Sequence, residues 1–372
     1  MNRVRVLHTL CRIHSGGVEQ RRVLLAHGLG SDRYEHALIC QEADGKIPGI
    51  LQAAGWAIHE IGLAAGILNP AWHSRAYEVA KAFRPDIIHG AVYEGEALAC
   101  SIGLRMPSVK VIMEETSDPV SRRWTGNALM RAMCMRADVC IGVSPRVSDY
   151  LRHTLKLRER KIRTVYNAVP EVDPPSAERL HEIRATYGVR PEDLIIGSVG
   201  RVFDDVKRFS DLIRALPAIR ERHRTARLLI VGDGPDRAML AALAQYLGVE
   251  LDVIFVGYQG NTRDFYRIMD VFALASAHEA FGLVLVEAML AEVPIVATAV
   301  GGIPFVLAGG RSGRLVPPLD PSKLASAIID LLDNSNERVR LSAEGLSRAR
   351  SEFSAERYVK EIDHLYQTLA GR

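Results

Sequence analysis

The sequence SAHEAFGLVLVEAM, residues 276–289, follows an apolar run, Val271–Ala275, that is typical of a buried β-strand. Gly282 interrupts the apolar pattern, and the residues that follow it are typical of a helix. This helix is predicted to be buried, because its residues are apolar nearly all round. The pattern therefore places Glu279 on a strand-to-helix loop and Glu287 inside the helix.

The start of this predicted helix is a candidate site for phosphate. The backbone N–H groups of Gly282, Leu283 and Val284 have no partner inside the helix and point out of its N-terminus, where an anion is stabilised. A carboxylate before the helix start and another beyond it suit a ligand with hydroxyls on both sides of a diphosphate. A nucleotide-sugar has this layout, because a sugar and a ribose flank its diphosphate.

The two acidic residues also have simpler explanations. A glutamate before a helix, such as Glu279, is often only a favourable charge for the helix dipole. A glutamate within a helix, such as Glu287, is usually solvated. The apolar neighbours of Glu287 argue against a solvated position, and a buried glutamate needs a partner.

Glu279 and Glu287, with FGL at residues 281–283 between them, resemble the E-x7-E motif of retaining glycosyltransferases of family GT4. The sequences PIVAT at residues 294–298 and GGIP at residues 301–304 continue this resemblance. The resemblance implies the GT-B fold, an α/β architecture of two Rossmann-like doubly wound domains that face each other across a cleft. It also implies that a sugar moves from a nucleotide-diphosphate-sugar to an acceptor hydroxyl with retention of configuration.

The same resemblance assigns roles to residues of the motif. It implies that Glu279 is a catalytic residue that binds hydroxyls of the transferred sugar, and that Glu287 binds the ribose of the donor. Phe281, Gly282 and Leu283 are expected to contact the donor as well.

The remainder of the chain alternates short apolar strands with helical stretches, which predicts parallel sheets with ligands at the carboxyl ends of their strands. The pattern breaks at the proline-rich stretch PEVDPP, residues 170–175. We therefore predict a first domain over residues 1–170, a linker over 171–190, a second domain over 191–353 and a C-terminal helix over 354–372. The resemblance implies that the first domain binds the acceptor, that the second binds the donor, and that the final helix crosses back to the first domain.

Two cations near one strand end are candidates for the donor diphosphate. Arg201 follows the predicted strand that ends at Val199, and Lys207 comes six residues later. An arginine binds phosphate in a bidentate manner and a lysine binds it as a point charge. The resemblance implies that both residues hold the diphosphate, although solvated loop cations are the common alternative.

Glycines and one tyrosine at further strand ends extend the predicted donor site. Gly16 and Gly17 open the first helix, where they also suit a plain tight turn, and Gly232 and Gly234 follow the strand at residues 227–231. The resemblance implies that Gly16 and Gly17 face the donor phosphates or the acceptor, and that Gly232 and Gly234 line the nucleotide cleft. The third glycine of a dinucleotide fingerprint is missing, so the second pair is weak support for NAD. Tyr258 is predicted either to stack on the base or to be a core or rim tyrosine.

His89 and Glu115 are candidate catalytic residues on the acceptor side. His89 ends an apolar strand, where a structural role is also common, and the resemblance implies a histidine near the acceptor in this region. Family members often carry a histidine after the fifth strand of the first domain, and this chain has Glu115 there. A carboxylate accepts hydrogen bonds from sugar hydroxyls. The alternative is that Glu115 belongs to a surface turn.

Composition limits the class of protein. Charged residues make up 24% and hydrophobic residues 48% of the 372 residues, as in a globular protein with a large core. The net charge of +3 is too small to predict binding to nucleic acid. The absence of a D-x-D triplet or an H-x-x-x-H pair predicts no metal site, and no cofactor is expected beside the nucleotide-sugar. The five cysteines form no C-x-x-C pair and no apolar run reaches 18 residues, which predicts a cytoplasmic protein with reduced thiols.

One basic stretch predicts contact with an anionic membrane. It consists of arginines interleaved with large apolar residues, namely Arg122, Arg123, Arg131 and Arg136 with Trp124, Met130, Met133 and Met135. The alternative is a solvated helix face. We therefore expect a glycan or lipid-linked acceptor of the cell envelope, reached at the inner face of the membrane.

Two other classes of function remain open from the sequence. One is another chemistry on the same fold, such as a nucleotide-sugar epimerase or a phosphorylase, although a pyridoxal lysine cannot be placed. The other is a binding module without turnover, against which the presence of Arg201, Lys207, Glu279 and Glu287 argues. The resemblance favours a UDP-sugar donor first and a GDP-sugar second.

Overall fold

The computed structural model describes residues 3–14, 16–63, 66–117 and 122–371 of the chain. The chain divides into two compact units. The first unit comprises Met1–Ala168 together with Ala355–Arg372, and the second comprises Val169–Ser354.

The described strands are, in chain order, β1 Val4–Thr9, β2 Arg12–Ile13, β3 Tyr34–Cys40, β4 Glu42–Ala43, β5 Ala57–Glu60, β6 Ile87–Ala91, β7 Lys110–Glu115, β8 Val139–Gly142, β9 Ile162–Thr164, β10 Leu194–Val199, β11 Ala226–Val231, β12 Val253–Gly257, β13 Val271–Leu274, β14 Ile295–Thr298 and β15 Arg314–Val316. The described α-helices are α1 Gly17–Gly28, α2 Ile47–Ala53, α3 Pro70–Phe83, α4 Val92–Arg105, α5 Trp124–Arg136, α6 Pro145–Asp149, α7 Ala177–Thr186, α8 Asp204–Lys207, α9 Phe209–Arg222, α10 Arg237–Tyr246, α11 Arg263–Tyr266, α12 Leu283–Leu290, α13 Ile303–Val306, α14 Pro321–Asp333, α15 Ser335–Glu352 and α16 Ala355–Leu369.

The sheet of the first unit joins seven described strands in the order β5-β3-β1-β6-β7-β8-β9, and every neighbouring pair is parallel. Parallel neighbours need crossover connections, so helices cover both faces of the sheet. One apolar layer packs α1, α2 and α16 against the sheet, and the other packs α3, α4 and α5. The predicted α/β architecture is therefore present in this unit.

The last helix, α16, completes the core of the first unit. Its buried residues, Tyr358, Ile362, Leu365 and Tyr366, recur at helical spacing and lie in the same apolar cluster as residues of α1 and β1. Beside them, Arg33, the residue before β3, donates hydrogen bonds to the carboxylate of Asp363 at 3.1 and 2.9 Å.

The sheet of the second unit joins six described strands in the order β12-β11-β10-β13-β14-β15, again parallel throughout. Its apolar core packs α9, α10 and α14 against the central strands. The direction of strand order reverses between β10 and β13. Ligands of such sheets bind outside the carboxyl ends of the strands at this reversal, and the loops after β10 and β13 carry Arg201 and Glu279.

The segment predicted as a linker, residues 171–190, is not irregular along its length. It contains α7, whose first turn is capped by Ser176, since Oγ of Ser176 accepts a hydrogen bond from the backbone N–H of Arg179 at 3.2 Å. The side chain of Arg179 also donates to Asp264 of α11 at 3.2 Å. The proline-rich pattern therefore marked the start of the second unit, and the helix that follows packs onto that unit.

Among the described residues, every helix is either too short or too polar to cross a membrane.

Candidate functional site

Lys207 and Glu279 meet at the carboxyl edge of the second sheet. Nζ of Lys207, at the end of α8, lies 2.5 Å from Oε2 of Glu279, in the loop after β13. The backbone of the same loop is held as well, because the N–H of Ala277 donates to the carbonyl of Val206 at 2.8 Å. The side chains of the pair keep 20% and 15% of their surface exposed. The pair is therefore accessible to a ligand, and its two members lie side by side.

The loop between Glu279 and α12 has a backbone that requires glycine. Gly282 adopts φ of 93°, a left-handed conformation that other residues rarely adopt. The N–H of Gly302 donates to the carbonyl of Glu279 at 2.8 Å, and a Cβ on Gly302 would collide with the carbonyl oxygen of Ala280. Two glycines thus fix the direction in which the chain enters α12.

The N-terminus of α12 leaves backbone donors without acceptors. Leu285 donates to the carbonyl of Gly282 at 2.9 Å, whereas no described residue accepts a hydrogen bond from the N–H groups of Gly282, Leu283 and Val284. These donors carry the positive end of the helix dipole. The structure therefore has the predicted helix start with free backbone donors, a few residues after Glu279, and anion binding there stays a prediction.

Phe281 has a different role from the one predicted. Its side chain is 2% exposed and packs edge-on against Phe353, with ring centroids 5.3 Å apart. A side chain buried in this way supports the loop from below and does not present its ring to a donor. The resemblance assigned Phe281 to the donor, whereas its apolar character is in keeping with the burial found here.

Arg201 and the glycines after β11 lie at the ends of adjacent strands. Arg201 is exposed, and its guanidinium makes no hydrogen bond or ion pair with any residue in the described ranges. A Cβ on Gly232 would collide with the carbonyl of Gly200, and one on Gly234 with that of Val202. Both glycines are therefore explained by the close approach of the β10 and β11 loops. The phenol of Tyr258, after β12, is 59% exposed.

Glu287 has the partner that its burial required. The hydroxyl of Tyr266, at the end of α11, donates to Oε2 of Glu287 at 2.8 Å. Burial raises the pKa of Glu287, while the hydrogen bond from Tyr266 and the charge of Arg263 lower it in part. The carboxylate lines a pocket with Arg263, Arg267 and the segment at residues 169–175. The sequence did not reveal Tyr266, because the spacing of apolar residues indicates which face is buried but not what it contacts.

In the first unit, His89 belongs to a buried polar network. Its Nδ1 lies 2.7 Å from the hydroxyl of Tyr366 in α16, and its Nε2 lies 3.3 Å from a carboxylate oxygen of Glu114. Burial, followed by the charge of Arg22, lowers the pKa of His89 to about 4, so the ring is neutral at neutral pH. His89 has no exposed surface. The structural explanation of this histidine therefore replaces its predicted contact with the acceptor.

The centre of this network is a group of charges that the sequence analysis missed. Glu114 pairs with Arg21 at 2.9 Å and with Arg22 at 3.0 Å, and all three side chains are at most 2% exposed. Burial alone would raise the pKa of Glu114, but the two guanidiniums hold it well below its usual range. Arg21 also donates to Asn167. The one available signal was that Glu114 directly follows an apolar strand run.

Glu115 is not part of a surface turn, and its carboxylate is already occupied. It is 4% exposed, and its Oε2 accepts a hydrogen bond from Arg122 at 2.6 Å. Its Oε1 accepts from the backbone N–H and the hydroxyl of Ser117, at 3.1 and 2.5 Å. Arg122 reaches further to the hydroxyl of Tyr150 at 2.9 Å. A sugar hydroxyl would therefore have to share or displace existing partners of Glu115.

Gly16, at the start of α1, has no steric requirement for glycine in its backbone conformation. Gly16 is the residue before the helix, with φ of −81°, and its carbonyl accepts from Gln20 at 3.1 Å. Gly17 is the first residue of the helix. A Cβ on Gly16 would meet only the flexible end of the Glu19 side chain. Packing thus leaves the choice of glycine at position 16 unexplained.

The predicted membrane-binding cluster is divided by the fold. Met130 and Met133 are buried, and Arg136 donates to the carbonyls of Gly103 and Val109 at 2.8 and 2.7 Å. Arg122 is bound to Glu115. The cluster that still faces solvent consists of Arg123 and Arg131 with two apolar side chains, Trp124 at 81% and Met135 at 66% exposed.

The part of the chain that the structure describes contains no group of three or more histidine, cysteine, aspartate or glutamate side chains that could hold a metal ion.

Two family descriptions match the chain and together span most of it. Glycosyltransferase Family 4 matches residues 15–171, and Glycosyl transferases group 1 matches residues 181–348. The N-acetyl-alpha-D-glucosaminyl L-malate synthase of Bacillus anthracis is 28% identical over 298 residues, which are 79% of this chain and 77% of that protein. The D-inositol 3-phosphate glycosyltransferase of Corynebacterium urealyticum is 34% identical over 206 residues, which are 52% of this chain and 48% of that protein.

Solved structures show the same fold. The crystal structure of Anabaena HepE in complex with UDP and glucose matches with a TM-score of 0.86 at 20% sequence identity. The match covers 98% of this chain and 100% of that chain.

Proposed function

Because the chain belongs to the glycosyltransferases of family GT4 and has the GT-B fold, we propose that it transfers a sugar from a UDP-sugar to an acceptor hydroxyl with retention of configuration. A GDP-sugar is the second choice of donor. UDP is preferred because the structural neighbour HepE was solved with UDP and with UDP-glucose.

One observation carries the proposal. The ion pair of Lys207 and Glu279 lies at 2.5 Å at the same strand edge as the α12 start, where three backbone N–H groups have no acceptor among the described residues. A cation and a helix N-terminus suit a diphosphate, and a carboxylate beside them suits the hydroxyls of the attached sugar. The exposed Arg201 adds a second cation at the neighbouring strand end.

The proposed reaction occurs on one face of the sugar. The bond from the anomeric carbon to the diphosphate oxygen breaks, the bond to the acceptor oxygen forms, and the acceptor proton passes to the departing diphosphate. Arg201, Lys207 and the N-terminus of α12 stabilise the negative charge that develops on the leaving group. Glu279 holds sugar hydroxyls, and Glu287 holds the ribose. This scheme needs no metal and no cofactor.

The acceptor has two candidates. A glycan or lipid-linked acceptor at the inner face of a membrane is supported by the exposed Trp124 and Met135 with Arg123 and Arg131. A small anionic acceptor is supported by the relatives whose names include L-malate and D-inositol 3-phosphate. The support for the membrane acceptor is reduced, because part of the predicted membrane-binding cluster is buried.

Calorimetry with UDP, GDP, ADP and the parent nucleosides tests the donor. Arg201→Ala is expected to weaken binding of the diphosphate by about 10–150-fold, because a charge-assisted hydrogen bond is lost. Binding of the nucleoside is expected to stay unchanged. The matched control is Arg224→Ala, which removes an exposed arginine before the amino end of β11.

Three results would contradict the proposal. Equal losses for nucleoside and diphosphate would remove Arg201 from the phosphate site. Tight nucleotide binding without product on any acceptor would favour a binding module. Epimerised or hydrolysed sugar-nucleotide as the main product, with no acceptor present, would favour another chemistry on the same fold.

A further inference from the structure

The hydrogen bond between Tyr266 and Glu287 involves a tyrosine ring that is fully buried. Tyr266 has no exposed surface, and its ring lies 5.4 Å from that of Phe272 in β13, measured between centroids. Its hydroxyl donates to Oε2 of Glu287 at 2.8 Å. A ring that is packed in this way holds its hydroxyl at one position, so the carboxylate is held there as well.

The two oxygens of Glu287 differ in their surroundings. Oε2 is bound to Tyr266, whereas Oε1 accepts no hydrogen bond from any residue in the described part of the chain. Glu287 also lines the pocket formed by α11, the end of α12 and residues 169–175. Oε1 is therefore the carboxylate oxygen that has no donor among the described residues.

Two of the charged groups around the pocket already have partners outside it. Of those that line it, Asp264 is bound to Arg179 at 3.2 Å and Arg267 to Glu292 at 3.3 Å. Arg263 and Asp173 also line the pocket, and the charge of Arg263 lowers the pKa of Glu287 against the effect of burial. Burial and the neighbouring carboxylate raise the pKa of Tyr266 well above its usual range, so its hydroxyl remains a donor.

We propose that Tyr266 is a positioning residue, which holds Oε2 of Glu287 so that Oε1 accepts a hydrogen bond from a ribose hydroxyl of the donor nucleotide. The proposal rests on the proposed function, in which Glu287 binds the ribose. Without the tyrosine hydroxyl, the carboxylate can rotate and its second oxygen is left buried without a donor. Recognition of the ribose is then lost while the phosphate contacts remain.

The experiment compares a ribonucleotide with its 2′-deoxy form. Whichever of UDP and GDP binds more tightly is titrated by calorimetry, followed by its 2′-deoxy analogue. Wild type is expected to prefer the ribonucleotide by about tenfold or more, and Tyr266→Phe by only about threefold. Affinity of Tyr266→Phe for the deoxy form is expected to equal that of wild type.

Two controls separate positioning from a general effect on the fold. Tyr187→Phe removes a hydroxyl that accepts from Gln259 at 3.1 Å, next to α11, and is expected to leave the preference unchanged. In a Glu287→Ala background, Tyr266→Phe is expected to change the preference no further, because it acts only through the carboxylate. Thermal unfolding of each variant verifies that it is folded.

A pH series gives an independent readout. The hydrogen bond from Tyr266 lowers the pKa of Glu287, so its loss raises this pKa. As the pH is lowered, Glu287 takes up a proton and the preference for the ribonucleotide is lost. This loss should occur at a higher pH in Tyr266→Phe than in wild type. If Tyr266→Phe prefers the ribonucleotide as strongly as wild type does, the positioning role is overturned and the proposed donor is unaffected. A wild type that binds neither UDP nor GDP would overturn the proposed donor, and the positioning role with it.

Discussion

Nζ of Lys207 lies 2.5 Å from Oε2 of Glu279, which joins a cation at the end of α8 to a carboxylate in the loop before α12. Both groups belong to the proposed donor site, so each modifies what the other can do. A diphosphate that binds Lys207 must share it with Glu279. We therefore expect the carboxylate to limit how tightly the nucleotide product is held, in addition to its proposed contact with the sugar.

The first prediction concerns Glu279→Gln. Removal of this negative charge frees Lys207, so binding of UDP should be unchanged or up to about tenfold tighter, while turnover should fall by about 10–150-fold through the loss of charge-assisted bonds to the sugar. Calorimetry and product formation measure the two effects. Glu337→Gln is the control, since the Glu337 side chain keeps a similar 17% of its surface exposed and pairs with Arg340 at 2.8 Å. Weaker UDP binding together with full turnover would refute the assigned roles.

The second prediction concerns metals. Turnover should persist in EDTA, because Arg201, Lys207 and the N-terminus of α12 supply the positive charge for the leaving group. The measurement is product formation before and after chelation, with magnesium or manganese added back. If chelation abolishes activity and either metal restores it, these protein groups alone do not supply the positive charge that the leaving group needs.

The third prediction concerns Glu115. Glu115→Gln leaves Arg122 without its carboxylate in a buried position, so the free energy of unfolding should fall by about 3 kcal/mol. If Glu115 also contacts the acceptor, turnover per folded molecule should fall by about tenfold while nucleotide affinity stays constant. Denaturant unfolding and initial rates separate the two effects. Wild-type rates in a folded variant would restrict Glu115 to a structural role.

The fourth prediction concerns pH. His8, His36 and His89 are buried, and burial followed by the charge of Arg22 lowers the pKa of His36 to about 3, that of His89 to about 4 and that of His8 well below its usual value of 6.5. The unfolded chain takes up these protons and the folded chain does not. The contribution of these histidines to the free energy of unfolding should therefore be fully present above pH 6.5. It should fall as the pH drops toward 4, by up to about 1.4 kcal/mol per pH unit for each histidine.

Denaturant unfolding at a series of pH values tests this slope. His36→Gln should make it shallower, whereas His364→Gln, an exposed histidine on α16, should not change it. A flat profile between pH 6.5 and 4 in wild type would mean that the histidines are accessible to protons in the folded chain.

The fifth prediction concerns the membrane. Flotation with anionic liposomes should retain wild type and release the double variant Arg123→Glu with Arg131→Glu, because both side chains are exposed beside Trp124. The control changes two exposed lysines of the same unit, Lys46 and Lys81, to glutamate. Equal flotation of the two double variants would leave a small soluble acceptor as the remaining candidate.

The architecture could be predicted from the sequence because short apolar strands alternate with helical stretches in both halves. The helix start at Gly282 was predictable for the same reason, since a buried strand, a glycine and a helix follow each other directly. These features depend on the succession of neighbouring residues along the chain, and the spacing of apolar residues reports on that succession.

Contacts between distant parts of the chain could not be predicted in this way. Glu114 meets Arg22 across 92 positions, and His89 meets Tyr366 across 277. A polar residue at a strand end can face a ligand or a buried partner, and the local pattern is the same in both cases. The resemblance assigned His89 and Phe281 to ligands, although the fold buries both side chains.

The division of the chain has a consequence for its synthesis. The first unit needs residues from both ends, because Tyr358, Ile362 and Tyr366 of α16 fill the core beside α1. On the ribosome, residues 1–168 emerge first and carry an apolar face that stays uncovered until the last helix has been made. The second unit is continuous, and all its residues are available before α16 appears. The core of the first unit can therefore be completed only after the whole of the second unit has been translated.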